Sequence, residues 1–388
     1  MKSFRRPRFH LMAESQLGED SCHSIIISLL RGLAALQVAT AHLRADFFPG
    51  LRSLENPALW YQGLAFFTGF AHQAVVVFFL ISGWLVGGSF LNKRNQPGAI
   101  KLYAIDRVTR LWTVLIPTFA LILAFGIVTG TLDPRSVDLA RTNDHSVAAF
   151  AGNLAGLQTI VVPTFGGNFP LWSLANETWY YFMFPLLVAG MAGQRRSLAA
   201  AALVATALLI PFELVLYFSI WLLGAAFSRV RIECGAASRV VLLAVLTVLS
   251  VYFRLYGSND GMVLASYPQD LLLGAVFMLF LSTTIVKPAS GTFGLASLRK
   301  FATTLSNFSF TLYVVHVPVL GMLGWIGLHL FGRRQLRPDS LADLGVYCVM
   351  LMLTTAFAYG FYLLFEARTY QIRRWAKNLL AGRNEALA

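Results

Sequence analysis

The chain has 388 residues, 57% hydrophobic and only 13% charged, with a mean hydropathy of +0.64 and a net charge of +13. Soluble domains carry about 25% charged residues, so this composition excludes an ordinary soluble enzyme and points to an integral membrane protein in a lipid bilayer. The basic residues cluster between apolar runs, which marks topology rather than a nucleic-acid surface, and the three cysteines (Cys22, Cys234, Cys348) lie too far apart for a disulfide framework or a zinc site.

A spanning helix needs about 20 mostly apolar residues. The sequence predicts an all-α, polytopic membrane protein of about ten transmembrane helices with no soluble domain. Spans are expected at 23–44, 67–91, 110–130, 171–192, 197–211, 213–228, 239–255, 267–286, 304–331 and 340–367. Residues 1–22 read as a basic N-terminal tail, 23–370 as the ten-helix membrane domain and 371–388 as a basic C-terminal tail. The N-terminal tail runs directly into a full span without a small-residue cleavage site, so an uncleaved chain is expected. The fifth and sixth spans are short and meet at Pro211-Phe212-Glu213. The longest loop, roughly 131–170, carries Asp133, Asp138, Asp144 and His145. With both termini inside, most Lys and Arg fall on the cytoplasmic side, from Lys2, Arg5 and Arg6 to Arg373, Arg374 and Lys377. The exception is Arg333-Arg334-Arg337 outside, either ordinary loop charge or a contact for an anionic glycan or headgroup.

Ionisable residues at membrane depth are the candidates for function, because each costs about 2.5–3.5 kcal/mol on insertion scales. Arg31 and His42 in the first span are 11 residues apart, almost three helical turns, so they share a face about 16 Å apart along the axis. Arg31 could snorkel at the inner interface, and His42 could make an interhelical hydrogen bond. Glu177, in PLWSLANETWYYFMFPLL (170–187), falls at an outer-half depth similar to His42. A carboxylate beside an imidazole lowers the burial cost of both, and it is a usable general-base arrangement in which the ring takes a hydroxyl proton. On the cytoplasmic side, Arg107 and Arg110 lie one turn apart. They read as a positive-inside flank or, with Arg31, as a phosphate site approached past Lys93, Arg94 and Lys101. Ser82 and its neighbouring glycines in FFLISGWLVGG (78–88) suit helix packing before ligand contact. Asn307 and His316 in SNFSFTLYVVHVP (306–318) are further candidates, His316 as a second catalytic or gating residue or as a packed ring beside Pro318. Asp270 and Glu366 read as structural, and His72 and His329 as weaker candidates.

Taken together, these segments resemble the membrane acyltransferase-3 family, which includes bacterial O-antigen and exopolysaccharide O-acetyltransferases. The pieces that carry the resemblance are Arg31 with His42, FFLISGWL, the arginines before LWTVLIP, LWSLANETWYYFMFP and SFTLYVVHVPV, in family order from about residue 24 to 374. The resemblance implies a ten-helix core that takes an acyl group, usually acetyl, from cytoplasmic acyl-CoA and passes it to a hydroxyl, usually of an extracytoplasmic or lipid-linked glycan. It further implies His42 as catalytic base, Glu177 as its essential partner, Arg31, Arg107 and Arg110 on the CoA phosphates, and no metal. His42 would deprotonate the acceptor or first accept the acyl group itself. Where some members carry a second acid, this chain has Thr178. Many members also carry an extracytoplasmic esterase-like domain. This chain ends soon after its tenth span, so a second transfer step is expected to need an envelope-assembly partner. The alternative expectation is a transporter or flippase in the inner membrane that uses the same buried residues as a substrate or proton path.

Overall fold

The computed structural model describes residues 7–15, 17–18, 21–132, 144–192, 195–259, 261–286 and 294–385. Asp133, Asp138, Lys2, Arg5 and Arg6 lie outside the described residues. The described residues are mostly helical. The helices are α1 (Cys22–Phe47), α2 (Leu59–Phe67), α3 (Ala71–Ser82), α4 (Gly88–Lys93), α5 (Ala99–Thr129), α6 (Val147–Leu154), α7 (Trp172–Ala192), α8 (Arg196–Leu209), α9 (Phe212–Phe227), α10 (Ala236–Tyr256), α11 (Tyr267–Ser282), α12 (Leu295–Asn307), α13 (Ser309–Phe331), α14 (Leu341–Leu364) and α15 (Thr369–Glu385). A π-helical turn, Gly83–Gly87, joins α3 to α4.

Among the described residues, six stretches are long and apolar enough to cross a membrane: Cys22–Ser53, Leu59–Lys93, Ala99–Thr129, Ala236–Tyr256, Ser309–Phe331 and Leu341–Leu379. Arg196–Leu209, Phe212–Phe227 and Tyr267–Ser282 are apolar but shorter. Helix α7, the expected fourth span, is not among the six, because Ser173, Asn176, Glu177 and Thr178 lower the hydropathy of its first half. Most expected boundaries lie within a few residues of the helix ends. Three differences stand out. Helix α5 begins at Ala99, so Arg107 and Arg110 sit well inside it rather than at its entrance. The stretch 304–331 breaks at Phe308 into α12 and α13. The C-terminal basic tail folds as α15.

Contacts divide the chain into two compact units. The first contains Met1–Ala34, Phe70–Ala99 and Phe182–Ser306. In it, β1 (Arg8–Leu11) pairs antiparallel with β2 (Val230–Glu233). The π turn packs on α9 backbone to backbone. A Cβ on Gly83 would lie 1.9 Å from the Trp221 carbonyl oxygen, and one on Gly224 would lie 2.0 Å from that of Leu80. Small residues permit this approach, and in a membrane close packing of this kind holds helices together. A buried polar cluster sits nearby: His72 Nε2 is 2.8 Å from Asp270 Oδ2, and Tyr217 donates to the same oxygen at 2.6 Å and lies 2.8 Å from Ser266 Oγ.

The second unit contains Ala35–Gly69, Ile100–Tyr181 and Asn307–Ala388. Here the latter half of α1 is pinned on both sides of His42. Gln37 Nε2 donates to Phe67 O at 2.9 Å, Tyr347 to Thr40 O at 3.0 Å, and Arg44 Nε to Thr68 Oγ1 at 2.9 Å. An apolar cluster that includes Leu43, Phe47, Tyr61, Leu320 and Tyr347 closes around that end. The three loop arginines each meet an aspartate: Arg333 with Asp343 at 2.8 Å, Arg334 with Asp46 at 3.2 Å, and Arg337 with Asp339 at 2.9 Å. They act as ordinary loop charge, tying the α13–α14 connection together and to the end of α1.

Candidate active site

Helix α1 runs without interruption through both Arg31 and His42. His42 is half-buried, and its ring stacks on His316 of α13 with centroids 5.4 Å apart and planes 18° from parallel. The edge of Phe169 meets the same ring at 4.8 Å. Phe169 is delivered by the chain between α6 and α7. Asn153 organises that segment by donating to Pro163 O at 2.9 Å and accepting from Phe165 N at 3.1 Å. Asn168 fastens it to α13 by donating to Val314 O at 2.9 Å. His42, Ala45, Asp46, Phe169, Val317 and Leu320 line an open pocket of about 110 Å3.

His316 is fully buried. Its Nδ1 lies 2.8 Å from Tyr313 O and 3.2 Å from Leu312 O. Two carbonyls can only accept, so Nδ1 carries a hydrogen, an assignment made from the hydrogen-bond network. Tyr313 lies one turn away, its ring 6.0 Å from His316 and its hydroxyl 2.6 Å from Ser173 Oγ on α7. Glu177, one turn beyond Ser173 on α7, is half-buried and lies within electrostatic reach of both Tyr313 and Tyr103. The structure thus brings His42 and His316 together directly, with Tyr313 beside His316 and Glu177 within electrostatic reach of Tyr313.

A second group of residues lies along the N-terminal part of α5. The Arg107 guanidinium sits over the rings of Tyr103 and Tyr181, 5.8 and 5.6 Å from their centroids. Its Nε is buried without a hydrogen-bond partner among the described residues. Arg110 is engaged elsewhere: its Nη1 is 3.0 Å from Glu366 Oε1, and its guanidinium lies over Phe310. Glu366 also accepts from Thr311 N at 3.1 Å and Thr311 Oγ1 at 2.5 Å. Asp106 pairs with Lys377 at 2.7 Å and Arg373 at 3.4 Å from α15.

The remaining sequence candidates are placed as follows. Arg31 is half-buried in the first half of α1. Ser82 accepts from Trp221 Nε1 at 3.2 Å, which suits helix packing. Asn307 is exposed where α12 meets α13. Among the described residues no group of three or more His, Cys, Asp or Glu could hold a metal. Sequence reasoning assigned no role to Phe169, Ser173, Tyr103 or Tyr181, and it quoted Tyr313 only as part of a motif. The i, i+3 spacing of Tyr313 and His316 was the available signal for that pair.

No curated protein and no solved structure gives a significant match. Residues 25–363, most of the chain, match the acyltransferase-3 family, described as an acyltransferase domain. That match favours an enzyme over a carrier as the owner of the buried ionisable residues. The chain belongs to the acyltransferase-3 family and is a multi-pass membrane acyltransferase.

Proposed function

We propose that this enzyme takes an acyl group, acetyl by family resemblance, from acyl-CoA and esterifies a hydroxyl of an extracytoplasmic or lipid-linked glycan. The enzyme would sit in the inner membrane with both termini cytoplasmic. The observation that supports the chemistry is the His42–His316 stack at an open pocket, with Tyr313 beside His316 and Glu177 within electrostatic reach of Tyr313. In this account His42 takes the acceptor proton and the hydroxyl oxygen attacks the thioester carbonyl. A C–O bond forms, the C–S bond breaks, and the proton passes from the imidazolium to the departing CoA thiolate. His316 sets the orientation of the His42 ring, and Tyr313 and Ser173 carry the influence of Glu177.

The donor reaches the same helix from its other end. Arg31 lies 11 residues before His42, a rise of about 16 Å, which the pantetheine arm can span. Arg107, braced on two rings, is the strongest phosphate ligand of the three arginines, and Arg110 supports it while held by Glu366. Binding of acetyl-CoA to the purified protein tests this arrangement. Arg31→Ala together with Arg107→Ala should abolish it, and a double variant that binds as tightly as wild type would refute it.

A further inference from the structure

Helix α15 presents Arg373 and Lys377 four residues apart, on one face of the helix. Both converge on the single carboxylate of Asp106, one residue before Arg107. Arg107 and Arg110 both lie within electrostatic reach of Arg373. Four cations therefore gather near three carboxylates: Glu366 is taken by Arg110, Asp106 by Arg373 and Lys377, and Glu177 lies within electrostatic reach of Tyr103, whose ring the Arg107 guanidinium covers. Asp106 cannot neutralise Arg373, Lys377 and the adjacent Arg107 together. Arg107 makes no ion pair with a carboxylate among the described residues. Its guanidinium carbon sits over two tyrosine rings, and its buried Nε has no hydrogen-bond partner among the described residues, so an N–H remains for an acceptor. A surplus of positive charge carried by two guanidinium forks and one ammonium matches a phosphate ester, which presents up to two negative charges and three acceptor oxygens.

We propose that Arg107, Arg373 and Lys377 form a phosphate-ester site in which α15 supplies two of the three cations. The phosphate comes from the nucleotide part of the acyl donor, in which case the proposal rests on the donor assignment above, or from an anionic lipid headgroup. The test uses the full-length protein in phosphatidylcholine nanodiscs, as wild type, Arg373→Gln/Lys377→Gln and the charge-retaining Arg373→Lys. Four quantities are measured: affinity for CoA, affinity for acetyl-pantetheine, which has no phosphate ester, retention of added phosphatidylglycerol by native mass spectrometry, and the melting temperature.

With CoA as occupant, the double Gln variant binds CoA at least tenfold more weakly while acetyl-pantetheine binding and the melting temperature hold, and Arg373→Lys falls between. With lipid as occupant, CoA affinity is unchanged and phosphatidylglycerol retention is lost only in the double variant. Unchanged CoA affinity and unchanged lipid retention overturn the site while leaving the donor assignment standing. Equal weakening of CoA and acetyl-pantetheine with a lowered melting temperature also overturns it, because α15 would then be a brace. Wild-type protein that binds no CoA derivative refutes the donor assignment, and the site then stands or falls on lipid retention.

Discussion

Glu366 sits in the turn just past the end of α14 with a side chain only 2% exposed, yet it is a carboxylate in an apolar protein. It meets three partners: Arg110 Nη1 at 3.0 Å, Thr311 N at 3.1 Å and Thr311 Oγ1 at 2.5 Å. Removing one partner of a buried ion pair costs about 3–5 kcal/mol, because the other charge is stranded. The Arg110 side chain is 30% exposed, so water offsets part of this. Glu366→Ala should therefore destabilise by about 3 kcal/mol. Glu366→Gln keeps a carbonyl oxygen for Thr311 and loses only the charge, so about 1.5 kcal/mol is expected. Arg110→Gln/Glu366→Gln removes both charges, and the double-mutant cycle should show a coupling of about 1–2 kcal/mol. Equilibrium unfolding in mixed detergent, followed by tryptophan fluorescence, measures all of these. A Glu366→Ala protein with the wild-type midpoint, or a cycle with no coupling, would refute the reasoning. The same argument predicts that Arg110→Gln lowers stability more than donor affinity, whereas Arg107→Gln does the reverse.

Alanine at Gly224, whose Cβ would lie 2.0 Å from a backbone carbonyl oxygen, should cost about 3 kcal/mol or prevent folding. Alanine at Gly345, where no atom lies within 4 Å, should be tolerated, and thermal melts of the two variants separate these outcomes. Tyr313→Phe removes the 2.6 Å contact with Ser173, a loss of about 1 kcal/mol. That should slow transfer roughly fivefold and leave acetyl-CoA affinity unchanged. Proton abstraction by His42 requires a neutral ring, so transfer at saturating substrate should rise with pH as the ring loses its proton. A rate flat from about pH 5 to 8 would count against that role.

Much of the helical layout was legible because a span announces itself by length and hydropathy. The α8–α9 joint at Pro211 and the extent of α10 illustrate this. Where polar function dilutes hydropathy, as in α7, the same signal weakens although the helix persists. The start of α5 was placed too late, because Lys101, Asp106 and Arg107 lower the hydropathy of turns that are fully helical. At the site, spacing within one helix put Arg31 and His42 on one face. Contacts between helices were beyond spacing: His42 meets His316, and Arg110 meets Glu366, across long sequence separations. Glu366 was read as structural, and its pairing with Arg110 agrees with that. The docking of α15 was hidden because a basic tail and a basic helix docked on Asp106 have the same composition.

The central claim is acyl transfer centred on His42. Membrane vesicles carrying wild type or His42→Ala, supplied with acetyl-CoA labelled in the acetyl group, test it through label entering alkali-labile ester in the envelope fraction. The account predicts label from wild type and none from a His42→Ala protein present at the same level in the membrane. Equal label from both would contradict the place of His42 at the centre of the reaction.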